Sequence, residues 1–226
     1  MTSFKDGFKA MLPITTGIIP FALVMGTISS EAQLSLMQTI GMNIFVFAGA
    51  SQLASIDLML KNTEVLIILV TGLMINMRFM LYSAAMSPTL KDSKFLTKLS
   101  AAYLLTDQNY AVMSANQDHL KSSTETIKFF FGSSLCMILT WNTGVILGFV
   151  FGNFAPTSWA LDYAVPLSFV ALVIPSLKNN KYVMVAGFSS ISSIVLSNLP
   201  FNLGLIYTAV LAISLSAYLT KKKRAL

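Results

Sequence analysis

Four stretches of this chain carry no charged residue at all: Ala10 to Ser30, Ala32 to Ile56, Phe129 to Leu161 and Tyr182 to Thr220. A helix crossing the hydrocarbon of a bilayer needs about 20 predominantly apolar residues. Each run is long enough for one span, and the last two are long enough for helix pairs. Of the 226 residues, 55% are hydrophobic and 11% charged, whereas a soluble domain carries about 25% charged residues. Such a chain cannot cover a water-facing surface. The pattern predicts an all-α fold, a polytopic membrane helix bundle embedded in the lipid bilayer.

Setting the apolar runs against the polar connectors gives eight candidate segments, at 10–30, 34–60, 65–90, 99–117, 127–151, 158–177, 182–197 and 202–220. No Gly/Ser-rich linker or soluble module interrupts them, so residues 1–226 read as a single membrane domain. The first run is longer than the roughly 7 to 15 apolar residues of a secretory signal and lacks a small-residue cleavage site, so it is expected to be a retained helix. Lys5 and Lys9 before it, and Lys221, Lys222, Lys223 and Arg224 behind the last run, place both termini in the cytoplasm under the positive-inside rule. That topology accounts for most of the net charge of +6 without calling on nucleic acid.

The same rule bears on how many segments cross. If all eight do, the loop with Lys91, Lys94 and Lys98 falls outside. If 34–60 and 99–117 dip in and return, every lysine-rich loop lies inside, and only Lys61, offset by Glu64, is left on the far side. The bundle is therefore expected to have six to eight membrane segments, some re-entrant or broken, with six crossings fitting the charges better. The two dipping candidates are also the least helix-like at their centres, at Phe47 to Gln52 and Thr106 to Asn109. Irregular backbone at membrane depth survives only where protein buries it or a watery cavity lines it.

Arg78 stands near the middle of 65–90, where a charge costs about 2.5–3.5 kcal/mol on insertion scales and calls for a partner. Tyr82, four residues on, shares its helical face, whereas Asn76 faces elsewhere unless the helix is broken. A guanidinium holds a carboxylate in bidentate fashion, so an α-amino or α-keto acid is one natural ligand, and an ion pair with Asp107 is the other reading. An intramembrane Asp107 suits proton coupling; if 99–117 is instead an amphipathic connector, it is merely solvated. Gly49 with its flanking alanines, followed by Ser51 and Gln52, permits close backbone approach and side-chain hydrogen bonds, and equally suits a small-residue helix contact. Gly17, Gly26, Gly144, Gly148 and Gly152 suit helix packing. Asp162 reads as a helix cap ahead of Pro166, which sets a turn.

Enzymatic readings find little support. Cys136 is the only cysteine and His119 the only histidine, so neither a disulfide nor a zinc site can be assembled from them, and no metal or other cofactor is expected. Patterns for nucleophilic hydrolysis and for P-loop ATP hydrolysis are missing from the sequence. A gradient or a partner is then the expected source of energy for a transporter. The alternative is a non-transporting membrane scaffold or assembly subunit, in which the small residues and polar groups only specify helix contacts.

The motifs resemble those of the AzlC-type family, the large subunit of branched-chain amino acid exporters. Its Phe-Ala-Gly-Ala-Ser-Gln block stands unchanged at Phe47 to Gln52. Its Asn-x-Arg-x-x-Leu-Tyr is matched by Asn76, Arg78, Leu81 and Tyr82, and its Leu-Thr-Asp-Glu by Leu105, Thr106, Asp107 and Gln108, with Gln108 departing from the usual glutamate. Its Leu-Asp-Phe-Ala-Leu-Pro is similar to Leu161 to Pro166. The resemblance implies gradient-driven export of valine, leucine, isoleucine or other hydrophobic amino acids across the cytoplasmic membrane, together with a small AzlD-type membrane subunit. On that reading Arg78 receives the substrate carboxylate, Gln52, Asn76 and Tyr82 orient polar groups, Asp107 couples protonation to transport, and Gly49, Ser51, Asp162 and Pro166 shape the pathway.

Overall fold

A computed structural model describes residues 3–120, 122–152, 177, 179–197, 199 and 203–224. The segment expected at 158–177, with Asp162 and Pro166, lies almost wholly outside the described residues, as do Asn198, Pro200 and Asn202. Regular structure among the described residues is helical, and three helices are long and apolar enough to cross a membrane: Phe4–Glu31, Val65–Leu90 and Ser123–Gly152. The protein is a helical membrane bundle.

Helix α1 (Phe4–Glu31) starts at a capping box, in which the Ser3 N–H donates to Asp6 Oδ2 at 2.7 Å and the Asp6 N–H donates to Ser3 Oγ. Its partner is α8 (Ser123–Gly152). A Cβ placed on Gly7 would meet the Phe129 carbonyl oxygen at 1.9 Å, and one on Gly132 the Phe4 oxygen at 1.9 Å; farther along, Gly26 faces the Val145 oxygen at 2.0 Å and Gly148 the Leu23 oxygen at 2.0 Å. Positions advance together along both helices, so α1 and α8 run parallel. Reciprocal glycines bring backbone against backbone, as small residues do at membrane helix contacts. Of the glycines expected to serve packing, Gly26, Gly144, Gly148 and Gly152 do so, whereas Gly17 meets nothing within 4 Å.

Between them the chain forms two helical hairpins and one long crossing. Helices α2 (Leu36–Phe45) and α3 (Gly49–Leu60) flank an irregular tip at residues 46–48. The Gln52 amide donates to Asn43 Oδ1 across that tip at 2.9 Å, which fixes the two arms as antiparallel. Helix α4 (Val65–Asn76) returns beside α3, with Asn76 Nδ2 donating to Ser51 Oγ at 3.2 Å. The helical ladder then slips at Met77, where bonds run three residues back rather than four, and continues as α5 (Arg78–Leu90).

Met86 and Leu90 of α5 share a groove with Phe130, near the start of α8. Thus α5 ends at the end of the bundle where α1 and α8 begin, a basic end carrying Lys5, Lys9, Lys91, Lys94, Lys98 and Lys128. Helix α6 (Phe95–Leu104) rises from it, and α7 (Asp107–Ala115) descends, with Tyr110 stacked on Tyr82 at 4.6 Å. Hairpin α2–α3 accordingly enters and leaves at the far end and hairpin α6–α7 at the basic end, which is the arrangement of two dipping segments that the lysine distribution favours. Helices α9 (Asn180–Val195) and α10 (Leu203–Arg224) pack on each other, with Lys181 Nζ donating to the Leu219 carbonyl at 2.9 Å.

Candidate functional site

The two hairpin tips meet at the middle of the bundle and enclose a narrow cavity. Arg78 and Phe79 of α5, Ala48, Gly49 and Ala50 of the first tip, and Thr106, Asp107 and Gln108 of the second line one side. Ile18 and Phe21 of α1, Phe47, and Met137 and Trp141 of α8 supply apolar and aromatic wall. The space is about 30 Å³, far below the engineered cavity of about 150 Å³ that takes a benzene.

Arg78 Nη1 binds Asp107 Oδ2 at 2.7 Å, so the charge inside the long apolar segment is paired. The pairing is single-pronged. Arg78 Nε and Asp107 Oδ1 are each buried without a hydrogen-bond partner, leaving one donor and one acceptor unspent on the same pair. The guanidinium also lies 5.2 Å from the Phe79 ring centroid. Beside it, α3 begins at Ala48, which gives no side-chain cap, so the first N–H groups of α3 have no intrahelical partner and their dipoles make this edge of the cavity favourable to an anion. Helix α7 differs: Thr106 Oγ1 accepts the Asn109 N–H at 3.2 Å, closing its start.

Unpartnered buried polar atoms concentrate in these same motifs. Among the described residues they are Gln52 Oε1, Asn76 Oδ1, Arg78 Nε, Asp107 Oδ1, Asn109 Oδ1 and, apart from the rest, Thr208 Oγ1. Four acceptors thus stand against one donor around the tips. Buried acceptors with no partner are costly and rare; of these residues Arg78 and Asp107 line the cavity itself, one donor against one acceptor.

The residues singled out from sequence take different places. Arg78, Asp107 and Gly49 line the cavity. Gly49 has no alternative there, because a Cβ would sit 2.6 Å from the Trp141 ring and 2.8 Å from Phe21. Gln52 is fully buried behind the wall and joined to Asn43. Ser51 and Asn76 bond each other on the α3–α4 contact, so Asn76 is engaged with α3 even though the helix slips at Met77. Tyr82 lies beside Asp107 and stacks on Tyr110. Gln108, in place of the glutamate of the resembled pattern, faces the cavity. Asp57 forms an exposed i,i+4 pair with Lys61 at 2.7 Å.

Sequence reasoning passed over a second layer. Trp141 donates its indole N–H to Asn43 Oδ1 at 3.2 Å, and Asn43 Nδ2 donates to Asn142 Oδ1 at 3.3 Å, which pins the first hairpin to α8. Asn109 Nδ2 donates to Ser134 Oγ at 3.1 Å and pins the second. The available signal was a set of isolated amides, Asn43 and Asn142 among them, inside charge-free runs, where a polar side chain needs a partner.

The family described as AzlC protein matches residues 13–155, which include both hairpins and the whole cavity lining. A curated "uncharacterized membrane protein" of Archaeoglobus fulgidus is 28% identical over 77% of this chain and 76% of its own length. One from Helicobacter pylori strain J99 is 23% identical over 80% and 78%, and "Inner membrane protein YgaZ" of Escherichia coli K12 is 21% identical over 88% and 84%. No solved structure matches the chain. With a family match spanning more than half of its length, this chain belongs to the AzlC family of membrane proteins.

Proposed function

We propose that the protein is the large subunit of a two-component, gradient-driven exporter that moves branched-chain or other hydrophobic amino acids across the cytoplasmic membrane. The observation that carries this reading is the half-spent ion pair in an aromatic-walled cavity. Arg78 Nε offers a donor for a carboxylate, and Asp107 Oδ1 an acceptor for an ammonium. A zwitterionic head group satisfies both at once, and its carboxylate gains from the uncapped start of α3. An α-keto acid answers only the donor and leaves Asp107 Oδ1 unmet, so the amino acid fits better. The apolar walls Ile18, Phe21, Met137 and Trp141 suit an aliphatic side chain.

Proton coupling follows from the same pair. The cycle is an exchange: the substrate enters from the cytoplasmic side while Asp107 is ionised, with its carboxylate on Arg78 and its ammonium on Asp107; a proton arriving from outside neutralises Asp107 and displaces the ammonium, and it leaves to the cytoplasm when the next substrate binds. A groove of about 310 Å³ runs from Lys91 and Lys98 at the basic end to Leu105, next to Thr106 of the cavity. By the positive-inside rule that end faces the cytoplasm, so the groove is a natural approach for export. A small AzlD-type subunit is the expected partner.

The test is uptake of labelled valine into inside-out vesicles carrying both subunits and a proton gradient. Transport is expected to need both subunits and to collapse in Arg78→Ala. Valine uptake at the parent rate in Arg78→Ala removes the assigned role, and no uptake of any hydrophobic amino acid by the intact pair removes the transport reading.

A further inference from the structure

The two hairpins are held independently. The first is fixed to α8 through Asn43, Trp141 and Asn142, and the second through Asn109 and Ser134. Among the described residues, one side chain ties them to each other. The Tyr103 hydroxyl, near the end of α6, donates to the Ile44 carbonyl at 2.5 Å, and its ring stacks on Phe47 at 5.8 Å. Ile44 lies in the last turn of α2, where carbonyls have no intrahelical acceptor role left to fill. Phe47 at the tip has a φ of 44°, a left-handed backbone that a side chain with a Cβ adopts only under constraint.

Helix α6 is lightly packed and is joined to α7 at its tip end, where the Leu104 carbonyl accepts the Asn109 Nδ2–H at 2.7 Å. Its one buried residue is Ala101, while Phe95, Leu96, Leu99 and Tyr103 are exposed. It also forms a wall of the groove that climbs from the basic end, through Lys98, Ala101 and Ala102 to Leu105. Leu105 of the groove and Thr106 of the cavity are consecutive in the chain, as Ser83 of the groove follows Phe79 of the cavity by one turn of α5, and the cavity is too small for an aliphatic amino acid as it stands.

We infer that α6 is the gate of the transport pathway on the basic side and that Tyr103 is its latch, a positioning residue that ties the gate shut against the tip of the opposite hairpin. The inference rests on the transport reading above. Opening the latch frees the α6 arm, releases Phe47 from its stack, and merges the groove with the space around Arg78 and Asp107. The bonds of Asn43 and Asn109 to α8 stay in place, and the bond from Asn109 Nδ2 to the Leu104 carbonyl at 2.7 Å is the hinge, so α2, α3 and α7 hold the binding groups while α6 turns about its tip end. A single hydrogen bond in an apolar setting suits this: it is strong enough to hold and simple enough to break.

The experiment uses the full chain with its small subunit, in a Cys136→Ser background. Labelling of Gln108→Cys by a membrane-impermeant thiol reagent from the basic side reports opening. Tyr103→Phe keeps the ring and removes the hydroxyl, and is expected to raise the labelling rate about fivefold to tenfold, the population shift that one lost hydrogen bond allows. A rate within about twofold of the parent overturns the latch. Second, Ile44→Cys with Tyr103→Cys is joined by a short bifunctional thiol reagent. Valine transport is expected to stop on joining and to return on reduction; transport at the unlinked rate after joining overturns the gate. If the labelling responds to Tyr103→Phe but the unlinked pair moves no hydrophobic amino acid, the gate stands and the transport reading falls.

Discussion

Replacing Gly148 by alanine tests whether the α1–α8 seam is as close as the backbone positions state. The new methyl would lie 2.0 Å from the Leu23 carbonyl oxygen, about 1.3 Å short of the roughly 3.3 Å at which carbon and carbonyl oxygen sit comfortably. The obstacle is backbone, so no side-chain rotation relieves it, and the helices must part at that level. A gap of about 0.5–1 Å forfeits a quarter to a half of each dispersion contact across it. Overpacking of this kind costs about 1–3 kcal/mol. Gly26 faces Val145 and Gly148 at the same level, so once one alanine has parted the helices the second meets less resistance. Gly26→Ala with Gly148→Ala is therefore expected to cost clearly less than the two single costs together. Gly7→Ala with Gly148→Ala strains both ends and is expected to cost at least their sum. Reversible unfolding in mixed micelles, followed by circular dichroism, measures all of these. A Gly148→Ala stability within about 0.5 kcal/mol of the parent, as at an indifferent surface position, or full additivity at the Gly26–Gly148 level, refutes the seam. Function follows the same geometry, because Ile18, Phe21, Met137 and Trp141 reach the cavity from the two parted helices.

Asp107→Asn is expected to abolish dependence of valine transport on the proton gradient while the protein still folds, since asparagine keeps a hydrogen-bonding oxygen for Arg78; gradient-dependent transport at the parent level in that variant contradicts the coupling role. Trp141→Phe removes one of the two donors to Asn43 Oδ1, which keeps that of Gln52, and is expected to lower stability by about 0.5–1.5 kcal/mol through the lost hydrogen bond, read in the same unfolding assay, with an unchanged midpoint counting against the pin. Gly49→Ala pushes a methyl into Trp141 and Phe21 and is expected to raise the valine KM by narrowing the cavity, a change that an unaltered concentration dependence would exclude. Lys94→Cys in the Cys136→Ser background is expected to be labelled from the same face as Lys9→Cys, and labelling from the opposite face contradicts the hairpin of α6 and α7.

Hydropathy announced the long helices because apolar length is a one-dimensional property. The hairpin tips were also legible, since Phe47 to Gln52 and Thr106 to Asn109 interrupt apolar runs with small and polar residues that lipid cannot satisfy. The pairing of Arg78 with Asp107 was legible as one of two readings, since a charge at membrane depth calls for a partner but does not say whether a side chain or a substrate supplies it. The partner of Gln52 was not legible: it sits one helical turn past Gly49, and only the fold brings Asn43 of α2 alongside its amide. The parallel seam was hidden for a similar reason. Glycine spacing marks a close contact but carries no address, and nothing in α1 names α8 as the helix its glycines meet. Tyr103 looks from sequence like one more aromatic residue on an apolar helix, and its meaning depends on an opposite hairpin tip that only the fold supplies.

The parallel seam also sets a schedule for biosynthesis. Thr27 and Gly148, which share a hydrogen bond across it, are 121 positions apart in the chain. At about 5–20 residues per second, a ribosome needs roughly 6–24 s to deliver the second helix after the first. Throughout that interval α1 stands in the membrane with its glycine face bare, and Asn43, Gln52, Arg78 and Asp107 arrive before the helix that encloses them. The insertion machinery must shelter a half-built interior for longer than most helix pairs require, and slowing translation between residues 31 and 123 is expected to lengthen the window in which quality-control proteases find it.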